Sequence, residues 1–159
     1  MQKSFLARWL ALLLCCFLQI GLLSTAAPWQ TWEGCTLIPH PNNDGDSFRI
    51  QHGTNVVVLR LYGVDCPETK LGMKERIEEQ RKHWKLADAA AVVGLGKRAT
   101  DFTRTNLLAA PFVVRTRGTH VYGGPRVYGQ VTLEDGRKLE ALLLKARLAR
   151  KHGLQGESR

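Results

Sequence analysis

Two short acidic runs carry the residue types from which a reactive site could be built: Asp44-Gly45-Asp46-Ser47 and Asp65-Cys66-Pro67-Glu68-Thr69. Either run alone is weak, because Asp and Gly are ordinary residues of tight turns. An EF-hand reading of Asn42, Asp44 and Asp46 is excluded: Ser47 stands where that loop needs glycine, and Gly53 where it needs a bidentate glutamate. The arginines change the argument. Arg60 lies five residues before Asp65, on the segment that leads into the second run, and Arg126 follows the turn Tyr122-Gly123-Gly124-Pro125. Three carboxylates (Asp46, Asp65 and Glu68) and two guanidiniums converging on one surface suit phosphate chemistry. Carboxylate oxygens are the hard donors that Ca²⁺ takes, with tolerance for irregular geometry. A guanidinium fork matches paired phosphate oxygens, and a fixed cation counts most where charge accumulates in a transition state.

Magnitudes divide the labour. General base catalysis supplies about 10²- to 10⁴-fold, roughly 3–5 kcal/mol, whereas the largest enzymatic accelerations, phosphate-ester hydrolysis among them, need on the order of 20 kcal/mol or more. A lone glutamate cannot carry that. Metal and arginine stabilisation of the phosphorus-centred charge must hold the larger share, and an arginine finger in phosphoryl transfer is worth about 10³ to 10⁵.

Strands and turns must bring these groups together. Cys35–Ile38, Phe48–His52 and Val56–Val64 read as strands, separated by the 39–45 loop and the His52-Gly53-Thr54-Asn55 turn. On the third, Val58, Arg60 and Tyr62 face one way while Leu59, Leu61 and Gly63 face the other. After Pro67 the pattern turns helical: Lys74–Leu86, extended by Ala87–Val93 until Gly94 and Gly96 break it, then a second helix over Gly96–Leu108 ended by Pro111. Phe112–Thr116 and Arg126–Leu133 return to strand, and a last helix runs over Leu139–Arg150 with Leu139, Leu142, Leu143, Ala146 and Leu148 as its core stripe. Five strands with helices after the third and the fifth predict a mainly β, α+β fold: a five-stranded OB-type barrel with about three packed α-helices. An open α+β sheet is the competing architecture.

The chain has 159 residues, 23 Lys+Arg against 14 Asp+Glu, and a formal charge of +9. At 44% hydrophobic and 23% charged residues it is neither disordered nor a polytopic membrane protein, and the charge excess predicts a polyanionic partner. Lys3 and Arg8 precede the apolar run Trp9–Leu18, which is too short to span a bilayer, and Ser24-Thr25-Ala26 supplies small residues for cleavage. Residues 1–26 therefore read as a signal peptide, with an uncleaved anchor as the alternative. Residues 27–34 form a lead-in whose Trp29 and Trp32 pack on the domain edge, 35–152 the folded domain and 153–159 a polar tail. Export places the chain in the periplasm or outside the cell, or at the membrane if the anchor is retained. It also permits a Cys35–Cys66 disulfide, the alternative being two separate thiols.

The order Asp44-Gly45-Asp46-Ser47, then Val58-Leu59-Arg60-Leu61-Tyr62-Gly63-Val64-Asp65-Cys66-Pro67-Glu68-Thr69, then Gly96-Lys97-Arg98-Ala99-Thr100, resembles the staphylococcal nuclease (thermonuclease) family. The resemblance covers roughly residues 35–152, and its specific part is R-L-x-G-V-D-x-P-E. It implies an OB-fold phosphodiesterase that uses Ca²⁺ to hydrolyse DNA and RNA, acting as a monomer. Carried over by position, Asp46 and Asp65 would be side-chain ligands of Ca²⁺, and the Cys66 carbonyl a backbone ligand. Glu68 would position or deprotonate the attacking water. Arg60 and Arg126 would hold the phosphate and stabilise the transition state, and Tyr122 would touch a terminal phosphate. Three departures stand out: Cys66 replaces the family's usual Thr or Ala, residues 70–95 form a longer connection, and Arg126 sits in Gly-Gly-Pro-Arg-Val-Tyr-Gly rather than Tyr-Gly-Arg.

A second class of function is a non-catalytic OB module that binds nucleic acid through basic and aromatic contacts. Such a module has no need of Asp46, Asp65, Glu68 and Arg60, all of which are present. The basic helical residues Arg76, Arg81, Lys82, Lys85, Lys145, Arg147, Arg150 and Lys151 read either as solvated faces or as electrostatic steering for nucleic acid. His40, His52, His83, His120 and His152 are scattered, which assigns them to surface roles rather than metal ligation.

Overall fold

A computed structural model describes residues 27–153. The signal read in residues 1–26 and the tail from 154 onward lie outside the described residues. In chain order the elements are β1 (Gln30–Leu37), β2 (Ser47–His52), β3 (Asn55–Leu61), β4 (Val64–Asp65), α1 (Lys74–Trp84), α2 (Ala89–Leu108), β5 (Phe112–His120), β6 (Arg126–Thr132), α3 (Leu139–Lys145) and β7 (Arg150–Lys151). Among the described residues the fold is mixed α+β, with a five-stranded sheet and three α-helices. Among the described residues no helix is long and apolar enough to cross a membrane.

Within the sheet β1 pairs antiparallel with β2 and with β5, β2 with β3 and β5 with β6, while β3 and β6 run parallel. Each strand thus has two neighbours and the sheet closes on itself. The β2–β3 hairpin turns through Gly53 and Thr54, with a positive φ of 57° at Gly53 only. That is the demand of a two-residue turn with glycine at its first central position. The parallel pairing sets Val58 opposite Arg126 and Arg60 opposite Tyr128, so residues far apart in sequence share one end of the sheet.

Strand alternation sorts the side chains. Phe48 and Ile50 on β2, Leu59 and Leu61 on β3, Val114 on β5 and Val131 on β6 are buried, and α2 and α3 add Ala99, Leu107, Leu139 and Leu143. Full burial of such a side chain is worth about 1.5–3 kcal/mol, which makes this cluster the main source of stability. On β6, Gly129 leaves room for its neighbours: a Cβ there would stand 2.8 Å from Leu59 Cδ1 and 3.0 Å from Val114 Cγ1.

The chain departs from its sequence-based boundaries where β5 runs on from Thr116 to His120, and at four places nearer the site. The lead-in is not separate: from Gln30 it belongs to β1, where Gln30, Thr31 and Trp32 pair with Thr116, Arg115 and Val114, and Trp32 stacks on His52 at 5.4 Å. The third strand ends at Leu61, because Gly63 turns the chain at φ 74° and sends Val64 and Asp65 into a separate ladder with β7. Gly94 and Gly96 do not break a helix. The break falls earlier, at Lys85 in the left-handed region and at Asp88, whose side chain caps α2 by accepting from Ala91 N at 2.8 Å. The last helix stops at Lys145, and Arg147, at φ 56°, reverses the chain so that Arg150 and Lys151 form β7.

Candidate active site

The first acidic run is a turn with its polar groups accounted for. Asp44 Oδ1 accepts from Asp46 N at 3.1 Å and from Ser47 N at 2.6 Å. From α2, Thr103 Oγ1 donates to Gly45 O at 2.7 Å. The packing at Gly45 is tight, since a Cβ there would lie 2.8 Å from both Ala99 Cβ and Cys66 Sγ. This fixes Asp46 as a buried side chain, 3% exposed, which accepts from Cys66 N at 2.5 Å and pairs with Arg60.

The second run is held from two helices. Gln80 of α1 is fully buried; its Oε1 accepts from Glu68 N at 2.8 Å and its Nε2 donates to Cys66 O at 3.3 Å. On α2, Gly96 lets the Pro67-Glu68 backbone pass so closely that a Cβ would stand 2.4 Å from Glu68 O. Asp65 has no exposed surface, yet it meets three guanidiniums. Arg60 Nη2 lies 3.0 Å and Arg76 Nη2 2.5 Å from Oδ1, and Arg150 Nε 3.0 Å from Oδ2. Burial raises the Asp65 pKa, but Arg76 and Arg60 outweigh it and hold this carboxyl below its ordinary value. For Asp44 burial dominates over the Ser47 hydrogen bond and over Arg60 and Arg126, and its pKa is raised.

A cavity of about 310 Å³ opens above these groups. Asp44, Asp46, Arg60, Glu68, Arg76 and Arg126 reach it, with Tyr122, Tyr128 and His152 at its wall. Arg126 Nη1 donates to Ser47 Oγ at 3.3 Å, which ties β6 to the first acidic run. Arg76 Nε binds Glu68 Oε1, so the glutamate and Asp65 share one guanidinium.

Of the residues singled out by sequence, Asp46, Cys66, Glu68, Arg60, Arg126 and Tyr122 all line this cavity. Asp65 sits beneath it, bound to Arg60. Tyr122 is 88% exposed in a left-handed turn at φ 49°, at the rim rather than in the cluster. Cys35 and Cys66 are both buried and both free, and burial pushes the Cys35 thiol up to about 11 and raises that of Cys66 as well.

The structure adds groups to which the sequence pattern gives no site role: Asp44 reads as a turn residue and Arg76 and Arg150 as members of basic helical runs. Gln80 carries no motif, although Arg76, Ile77 and Gln80 recur at the spacing of one helix face, and Ile77 and Gln80 are buried. His152 is exposed, in keeping with its surface assignment, and lies at the mouth of the cavity, where its backbone N–H donates to Gly63 O at 3.0 Å.

The donor chemistry fits a hard divalent cation: Asp46 and Asp65 offer carboxylate oxygens and Cys66 a carbonyl, and one guanidinium reaches both carboxylates. Among the described residues, however, no three His, Cys, Asp or Glu side chains are gathered on one metal position. Arginines stand on the oxygens that such an ion would use. Compared with known proteins, the chain matches no family model and no curated protein.

Proposed function

We propose that this protein is a Ca²⁺-dependent phosphodiesterase that cleaves DNA or RNA, built on an OB-type barrel like that of the staphylococcal nuclease family. One observation carries the reading: Arg60 binds Asp46 and Asp65 together, beneath a cavity that Glu68 and Arg126 enter from separate elements. Pairing with Arg60 accounts for the burial of Asp46 and Asp65, but it does not account for Glu68 and Arg126 converging on the same cavity from other segments, which phosphodiester hydrolysis does.

Asp46, Asp65 and the Cys66 carbonyl would hold Ca²⁺, which supplies positive charge against the phosphate oxygens when bound. Glu68, fixed through its backbone by Gln80, orients a water toward phosphorus and takes its proton. Arg60 and Arg126 reach the same cavity from β3 and β6, the arrangement for gripping a phosphate from two sides as its charge grows. Tyr122 at the rim meets a terminal phosphate. The surplus of Lys and Arg draws a polyanion toward the site. Export rests on residues 1–26 alone, and the protein acts as a secreted or periplasmic monomer.

Digestion of labelled single- and double-stranded DNA and RNA by the purified protein tests this. Cleavage with Ca²⁺, arrest by chelator and near-complete loss in Asp46→Asn and Arg60→Ala are expected. Binding of nucleic acid without cleavage would leave the module reading in its place, and unimpaired cleavage by both variants would move the chemistry elsewhere.

A further inference from the structure

The longer connection over residues 70–95 brings α1 to the site, and α1 is clamped there through its C-terminal half. Gln80 holds the backbone of Cys66 and Glu68. Trp84 Nε1 donates to Arg147 O at 3.3 Å, and Arg150 Nη1 binds Glu79 at 2.8 Å. This clamp aims Arg76 at Asp65 and Glu68, both of which it binds. Arg60 and Arg150 are 11% and 13% exposed at the side chain, whereas Arg76 is 30% exposed and lies at the cavity wall. Arg76 is therefore the guanidinium with room to leave.

We propose that Arg76 is a built-in competitor of the divalent cation: it occupies the oxygens of Asp65 and Glu68, and Ca²⁺ must displace it to bind. This deepens the proposed function and rests on it. The charges support it. Asp44, Asp46, Asp65, Glu68 and Glu79 face Arg60, Arg76, Arg126 and Arg150, so five carboxylates already meet four guanidiniums before any ion arrives. A dication entering this cluster is repelled by every arginine that stays, and at about 4 Å that repulsion amounts to several kcal/mol per arginine at the effective dielectric of a partly buried site. Moving Arg76 away removes one of those positive charges, frees the Glu68 oxygen and leaves Asp65 Oδ1 with Arg60 alone. The displaced guanidinium remains at the cavity wall, where a substrate phosphate is the anion next available to it.

The test is calorimetric titration of Ca²⁺ into the chelator-stripped full chain and its Arg76→Met and Arg76→Lys variants, with folding followed by circular dichroism. Arg76→Met is expected to bind Ca²⁺ at least about tenfold more tightly than the wild type. Arg76→Lys, which keeps the charge without the fork, should gain less. In the wild type, the Arg76 Nε–H resonance held by Glu68 should move and lose exchange protection as Ca²⁺ is added; this readout needs no variant to fold. Equal or weaker Ca²⁺ binding by folded Arg76→Met, or an Arg76 resonance indifferent to bound Ca²⁺, overturns the competition and leaves the nuclease reading standing. Absence of Ca²⁺ binding in the wild type and in folded Arg76→Met alike overturns both.

Discussion

Glu140 offers the sharpest quantitative prediction, because its environment disfavours the charge it would ordinarily carry. It opens α3 at 9% exposure; Oε1 accepts from Val131 N at 2.9 Å, and Oε2 is buried without a hydrogen-bond partner. Burial pushes its carboxyl from 4.5 up to about 7, against the opposing pull of backbone N–H groups and Lys138. Lys151 and His152 share the cleft beside it. A proton is thus held more tightly in the folded state than in the unfolded one. The associated stability is full below about pH 4.5 and is lost as pH rises through about 7, and at roughly 1.4 kcal/mol for each pH decade it amounts to about 3 kcal/mol. Glu140→Gln removes the titration, at a cost of about 1–3 kcal/mol for an amide N–H₂ with no acceptor where Oε2 was. Urea unfolding followed by tryptophan fluorescence at pH 5, 6, 7 and 8 isolates the effect, because other groups titrate alike in both proteins. The stability difference between variant and wild type should climb in the variant's favour by about 3 kcal/mol from acid to alkaline pH. Parallel profiles for the two proteins would refute the reasoning, whatever their offset.

Two further expectations follow from backbone geometry. Gly96→Ala drives a Cβ into the carbonyls of Pro67 and Glu68, so about 1–3 kcal/mol of stability and most cleavage should be lost, while exposed Gly94→Ala on the same helix should gain about 0.5–1 kcal/mol; urea unfolding and the nuclease assay separate the two. Arg147 is exposed at φ 56°, and Arg147→Gly should raise stability by about 1 kcal/mol in the same unfolding measurement, with cleavage unchanged.

The residues that form the cluster were legible where their signal is local. Asp46, Asp65, Glu68 and Arg60 lie within 23 residues of chain, and strand alternation alone puts Arg60 opposite to buried Leu59 and Leu61. Arg76 and Arg150 were not legible in this way. Their roles depend on α1 docking and on the Asp65–Arg150 register of β4 and β7, which no short-range pattern encodes. The glycines of α2 misled for a physical reason. Low helix propensity marks Gly96 as a breaker, but its want of a side chain serves the crossing of another backbone, and the cost to the helix is offset by that contact. The C-terminal helix was overextended because its apolar stripe continues through Leu148, while the left-handed turn at Arg147 carries no glycine to announce it.

Helix α2 touches both acidic loops, Pro67-Glu68 through Gly96 and the Asp44 turn through Ala99 and Thr103. The gap between those loops is then measured out along a single stiff rod, about 10 Å over seven residues, rather than by the pliant chain that joins them. The loop between α1 and α2 can lengthen or shorten without altering that gauge, whereas a kink anywhere from Gly96 to Thr103 would pull the two halves of the cluster out of alignment together.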